Sequence, residues 1–78
     1  MSVIANDIIE LNGKRYICYK TAIYSDVKFV YLISESKPIE MKFAKEINQE
    51  GELKMEIINN PDEKAFAMSL FDTEEGNN

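Results

Sequence analysis

Val27-Lys28-Phe29-Val30-Tyr31-Leu32-Ile33 is the stretch that decides the fold. Read as a strand, it sends Val27, Phe29, Tyr31 and Ile33 to one face and Val30 and Leu32 to the other. One face alone carries four β-branched or aromatic residues, and neither Gly nor Pro interrupts the run, so strand is favoured over helix. A strand that is apolar on both faces needs cover on both sides. This predicts a central strand flanked by others, with a helix or a curled sheet over it.

The segments around it supply those neighbours. Upstream, Asp7–Leu11 is a short strand, and Asn12-Gly13 is a hairpin turn in which both residues tolerate positive φ. Lys14–Tyr24 is a long second strand, with Arg15, Ile17, Tyr19, Thr21 and Ile23 on one face and Tyr16, Cys18, Lys20, Ala22 and Tyr24 on the other. Ser25-Asp26 turns the chain into the central strand. Downstream, the loop Ser34–Pro38 ends it, since Pro supplies no ladder N–H.

Two alternating segments follow. Ile39, Met41 and Phe43 share one face, as do Leu53, Met55 and Ile57, with Glu40, Lys42, Lys54 and Glu56 outward and Asn48-Gln49-Glu50-Gly51 between. Charge selects a register for this hairpin. Met41 opposite Met55 sets Glu40 against Glu56 and Lys42 against Lys54, whereas Met41 opposite Ile57 sets Lys42 against Glu56, the pairing expected here.

The last element is a helix capped by Asn60, with Pro61 at its first position, Glu63 placed as in a capping box, and Asp62 and Glu63 at the positive end of the dipole. Phe66, Ala67, Leu70 and Phe71 form the stripe that docks on the sheet. The expected class is α+β: about five antiparallel strands in a meander, as an open sheet or a small curled barrel, then one C-terminal helix on the sheet. Residues 1–72 are expected to form one domain, and 73–78 a disordered acidic tail.

Composition limits the function. The chain has 78 residues, near the size at which one core yields about 3–5 kcal/mol. Cys18 is the single cysteine, so no internal disulfide forms, which fits a reducing cytoplasm. The N-terminus lacks the basic and apolar regions of a signal peptide, and no run reaches the roughly 18–20 apolar residues of a membrane span. The expected protein is cytoplasmic and free of membrane. The net charge is −5, with five acids against one base in residues 61–78 and nine against eight before them. Acidity gathered at one end, with no basic cluster, argues against direct nucleic-acid binding.

The chemistry-bearing residues are sparse. The sequence has no His, so the commonest general base and metal ligand is missing, and Cys18 has no imidazole to activate it. A packed thiol is the simpler reading of Cys18, and a helix cap is the simpler reading of Asn59–Glu63 than a cation loop. With Gly13, Gly51 and Gly76 the only glycines, no phosphate-cradling loop exists. No enzyme activity, cofactor or metal is expected. The tyrosines suit a sheet core or surface better than a binding patch, although Tyr is common at interfaces, and Met41, Met55 and Met68 are expected in the core.

One resemblance adds to this. Asn12-Gly13-Lys14-Arg15-Tyr16, Phe29-Val30-Tyr31-Leu32, Phe43-Ala44-Lys45, Gly51-Glu52-Leu53 and Asp62-Glu63 with Phe66 and Phe71 are similar to a family of small acidic proteins from Gram-positive bacteria, a domain of unknown function. The resemblance covers nearly the whole chain and implies a fold and a class, not an activity.

Two function classes follow as expectations. The first is a non-catalytic protein-binding module or regulatory accessory protein, with a protein partner or a homodimer formed through a sheet face or edge strand. Its candidate contact residues are Tyr16, Tyr24, Glu40, Glu56, Glu74 and Glu75. The alternative is a small acidic, phage-encoded inhibitor that mimics nucleic acid, which requires Glu35, Glu40, Glu46, Glu50, Glu52 and Glu56 on one continuous patch.

Overall fold

A computed structural model describes residues 3–76, with side chains up to Asp72. Among the described residues the chain forms β1 (Ile8–Leu11), β2 (Lys14–Tyr24), β3 (Val27–Ser34), β4 (Met41–Gln49), β5 (Glu52–Ile57) and α1 (Pro61–Gly76). The strands form one antiparallel sheet in the order β1-β2-β3-β4-β5, a meander curled into a half-barrel, with the helix following. The α+β expectation holds, and the curl settles the choice between open sheet and barrel.

Three tight turns set the hairpins. Asn12 and Gly13 (φ 52° and 80°), Ser25 and Asp26 (53° and 66°), and Glu50 and Gly51 (53° and 82°) each supply two consecutive positive φ angles. That is the backbone of a two-residue turn whose twist matches the flanking strands. Gly13 and Gly51 take the second position, where a side chain is strained. The β3–β4 connection is longer and contains a cis Lys37–Pro38 bond.

The central strand is buried on both faces, as its pattern requires. Val30 and Leu32 are fully buried with Tyr16, Cys18 and Ala44, and Val3, Ile9, Leu11, Met55 and Ile57 pack around them. Contributions from both edge strands identify this as the inner face of the half-barrel. On the outer face Phe29 packs with Ala22, Phe43, Ile58, Ala67 and Phe71, joined by Val27, Tyr31 and Leu70. The helix therefore covers one side of β3, and the curl of the sheet covers the other.

The helix begins where its cap residue places it. Asn60 Oδ1 accepts from the backbone N–H groups of Asp62 (2.8 Å) and Glu63 (3.1 Å). Glu63 does not complete a capping box; its carboxylate accepts from Lys45 Nζ at 2.6 Å and ties the helix start to β4. Ala67 and Phe71 are buried as the stripe predicts, while Phe66 lies at the margin. Helical backbone runs on to Gly76, past the expected domain boundary at Asp72. Side chains from residue 73 onward, Glu74 and Glu75 among them, lie outside the described residues, as do residues 77–78. No helix among the described residues is long and apolar enough to cross a membrane.

Three expectations are corrected. The first concerns register: Lys42 pairs with Leu32 of β3, and Glu56 pairs with Lys45 rather than Lys42. With the hairpin closed at Glu50-Gly51, Ile57 sits opposite Ala44 instead of Met41, an odd shift of three positions. Met55 and Ile57 then share the inner face with Glu46 and Ala44. A Lys–Glu pair still results, with Lys45 Nζ 3.4 Å from Glu56.

The second correction concerns β4, which starts at Met41 and runs to Gln49. Ile39 precedes it, and Ile39 and Met41 are exposed, because the covered part of the strand is Phe43-Ala44. The third concerns β2, where the register slips between Cys18 and Lys20: Cys18 opposes Leu32 and Lys20 opposes Tyr31, leaving Tyr19 as an extra residue. This β-bulge interrupts the alternation, so Tyr16 and Cys18 point to the inner face whereas Ala22 points to the helix.

Removing an inner-face core residue of β3 should be severe. Leu32→Ala is expected to cost about 2–5 kcal/mol, comparable to the whole stability of so small a domain, whereas Ile39→Ala should stay within about 0.5 kcal/mol. Urea denaturation of the two variants checks this, and similar costs for both would contradict the burial assignment.

Candidate functional site

Two surface depressions stand out, and they differ in chemistry. The first is a polar cleft of about 400 Å3 at the seam of the half-barrel, lined by Leu11, Asn12, Lys14, Tyr16, Glu40, Lys42, Ile57 and Asn59. Tyr16 is buried to its hydroxyl, which donates to Glu40 Oε1 at 3.1 Å. Lys14 Nζ lies 3.0 Å from Glu40 Oε2 and also donates to Pro38 O at 3.2 Å. Lys42 Nζ lies 4.0 Å from the same carboxylate.

The Lys14 hydrogen bond, reinforced by that from Tyr16, holds Glu40 below the usual carboxylate range. Burial first, and then the bond to Glu40, pushes the Tyr16 hydroxyl above the usual tyrosine range. A carboxylate satisfied in this way is a weak base. It acts as a strut that fastens the end of the β3–β4 loop to β2, aided by Ser34 Oγ, which accepts from the Glu40 N–H at 2.7 Å.

The second depression is an aromatic groove of about 310 Å3, lined by Tyr19, Lys20, Tyr31, Phe43, Met68, Phe71 and Asp72. Tyr31 is its hub. Its ring meets Tyr19 edge-on at 5.4 Å, Phe43 at 4.9 Å and Phe71 at 5.5 Å, and its hydroxyl lies 3.0 Å from Met41 Sδ. Phe43 and Phe71 stack at 5.8 Å beneath it. Tyr19 reaches this position because the bulge makes it the extra residue. It is 50% exposed, and Met41 and Met68 are exposed to 64% and 52%. Lys20 Nζ sits 5.6 Å above the Tyr19 ring, so the groove is apolar at its floor with charge at its rim.

The expected contact residues scatter. Tyr16 and Glu40 meet in the polar cleft, but Tyr16 is buried. Tyr24 is half exposed and lies edge-on to Phe66 at 5.0 Å, away from both. Glu56 is engaged by Lys45. Sequence reasoning missed Tyr19 and Met68. Met68 lies beside the helix stripe and was open to inspection, whereas no residue type at Cys18-Tyr19-Lys20 marks a bulge.

Other reactive groups are enclosed. Cys18 is fully buried, and burial pushes its thiol above the usual cysteine range. Nearby on the inner face, Lys28 and Glu46 form a mostly buried pair at 3.7 Å. The N-terminal segment closes over this pair: Val3 N–H donates to Glu46 at 2.6 Å, and Lys28 donates to the Val3 carbonyl. Among the described residues, no three His, Cys, Asp or Glu side chains converge as a metal would require.

No family model, curated protein or solved structure matches the chain.

A pH test follows from the strut. Because the folded pKa of Glu40 is depressed, its contribution is present above the ordinary glutamate pKa and lost as pH falls through the folded value. Glu40→Gln should therefore lower stability at neutral pH, with the gap to wild type closing on acidification. Denaturation of both proteins across that range checks the sign, and a gap that widens in acid would contradict it.

Proposed function

We propose that the protein is a small non-catalytic cytoplasmic protein-binding module or regulatory accessory protein, and that the aromatic groove is its contact surface. The observation that carries this reading is the exposure of Tyr19, Met41 and Met68 around a rigid floor of Tyr31, Phe43 and Phe71. Rigid aromatic rings over a packed base give up little entropy on binding, and flexible methionines adapt to a partner. Single exposed apolar residues are ordinary, but a clustered set around a groove is the feature expected of a recognition surface.

The nucleic-acid mimic is less well supported. It needs carboxylates displayed together, and several of those concerned are engaged by bases: Glu35 by Arg15, Glu40 by Lys14 and Lys42, and Glu56 by Lys45. Glu46 is turned inward to Lys28.

Affinity capture with the full chain tests the reading, run beside a Tyr19→Ser/Met68→Asp double variant. A partner that survives a high-salt wash and is weakened at least about tenfold by the variant is expected. A partner released by salt and held equally by the variant would contradict the reading.

A further inference from the structure

The two edges of the sheet differ. The two-residue turn at Glu50-Gly51 makes Gln49 and Glu52 a hydrogen-bonded pair, so the same pairing recurs at Ile47 with Lys54 and at Lys45 with Glu56. The Ile58 N–H bond to Phe43 O at 2.9 Å continues this parity. The backbone N–H and C=O groups of Leu53, Met55 and Ile57 therefore point away from β4, toward the free edge. Glu52, Leu53, Lys54 and Glu56 carry exposed side chains, and Met55 and Ile57 are partly buried. At the other edge, β1 has four residues, and by the same parity only Ile8 and Glu10 point outward.

The exposed β5 edge is complementary to itself. In an antiparallel pair of two β5 strands, outward residues must face outward residues, so only every second register is available. Centring the two-fold axis on Lys54 sets Lys54 against Lys54 and Glu52 against Glu56. Centring it on Glu56 sets Glu56 against itself. Centring it on Met55 sets Lys54 against Glu56 twice, and Leu53 against Ile57 twice on the inner face. That register also joins Leu53, Met55 and Ile57 to Ile57, Met55 and Leu53 of the second copy, using every outward group of the strand.

We propose that β5 is a homodimerisation edge, through which two copies of this chain pair antiparallel about a two-fold axis at Met55 into one ten-stranded sheet. The interface is isologous, as a two-fold dimer requires. In it Glu56 lies between Lys45 of its own chain and Lys54 of the other copy, extending the charge alternation already present at the β4–β5 ladder. β1 does not compete, because self-pairing there sets Ile8 against Glu10 with no charge match.

Sedimentation velocity of the full chain over a concentration series tests this, with the Lys54→Glu and Glu56→Lys variants alone and mixed. Wild type should move from one chain to two as concentration rises. Each single variant makes two like-charge contacts and should weaken the dimer about tenfold or more. Mixing the two restores both opposite pairs and should restore the dimer as a heterodimer.

The swapped double variant Lys54→Glu/Glu56→Lys should dimerise on its own. Because it also lacks the Lys45 contact with Glu56, its dimerisation shows that Glu56→Lys still folds, and its failure to dimerise while folded would overturn the proposal. Lys54 faces Ile47 across the hairpin, so Lys54→Glu leaves the Lys45–Glu56 contact in place. A wild type that stays monomeric throughout, single variants that dimerise as wild type does, or a mixture without rescue would each overturn the proposal.

Discussion

Burial of β3 on both faces is the constraint on which the rest of the structure depends. In an antiparallel sheet one face is commonly left to water, but Val30 and Leu32 cannot be left there while Phe29 and Tyr31 occupy the other side. Among the described residues there is one helix, and it can cover only one face. The remaining face is closed by curling the sheet until β1 and β5 bring Ile9, Leu11, Met55 and Ile57 over it. The half-barrel is thus the result of an excess of apolar strand over available helix. Each CH2 that the curl removes from water contributes about 0.8 kcal/mol.

Curling needs a place where the sheet bends, and the bulge at Tyr19 supplies it. Bulges increase local twist and displace one side chain from the alternation. Here the displaced residue is an aromatic one, and it lands edge-on to Tyr31, the outer-face residue that links β3 to the helix through Phe71. The same irregularity therefore shapes the fold and builds the wall of the groove. The polar cleft arises differently, where the β3–β4 loop returns past β2 and its Glu40 is fixed by Lys14 and Tyr16. One depression is held together by charge satisfied internally, and the other keeps apolar surface unsatisfied. On that contrast rests the proposal of the groove, and not the cleft, as the recognition surface.

Local signals in the sequence were legible wherever a single residue type dictates a backbone state. Asn12-Gly13 and Asn60-Pro61 marked a turn and a helix start because positive φ and an orphan N–H group have few chemical solutions. The two faces of β3 were legible from alternation alone. The β4–β5 register was not, because Asn48, Gln49, Glu50 and Gly51 all suit a turn and opposed charges occur in more than one pairing; the choice rests on which two residues adopt positive φ. Tyr16 and Tyr24 looked like neighbours on one face because nothing in Cys18-Tyr19-Lys20 betrays the extra residue between them. The candidate site depended on that same residue, so it was legible only through Tyr31, whose orientation was correct, and not through Tyr19.

Native-state amide hydrogen exchange by NMR tests the central claim most directly. β3 is laddered on both sides and covered on both faces, so its amides from Phe29 to Leu32 should open only with global unfolding and be the slowest in the molecule. β1, at the edge left unpaired, should exchange by smaller openings, with α1 in between. Slowest exchange in α1 or in the β1–β2 hairpin, with β3 opening ahead of them, would contradict a fold organised around that strand.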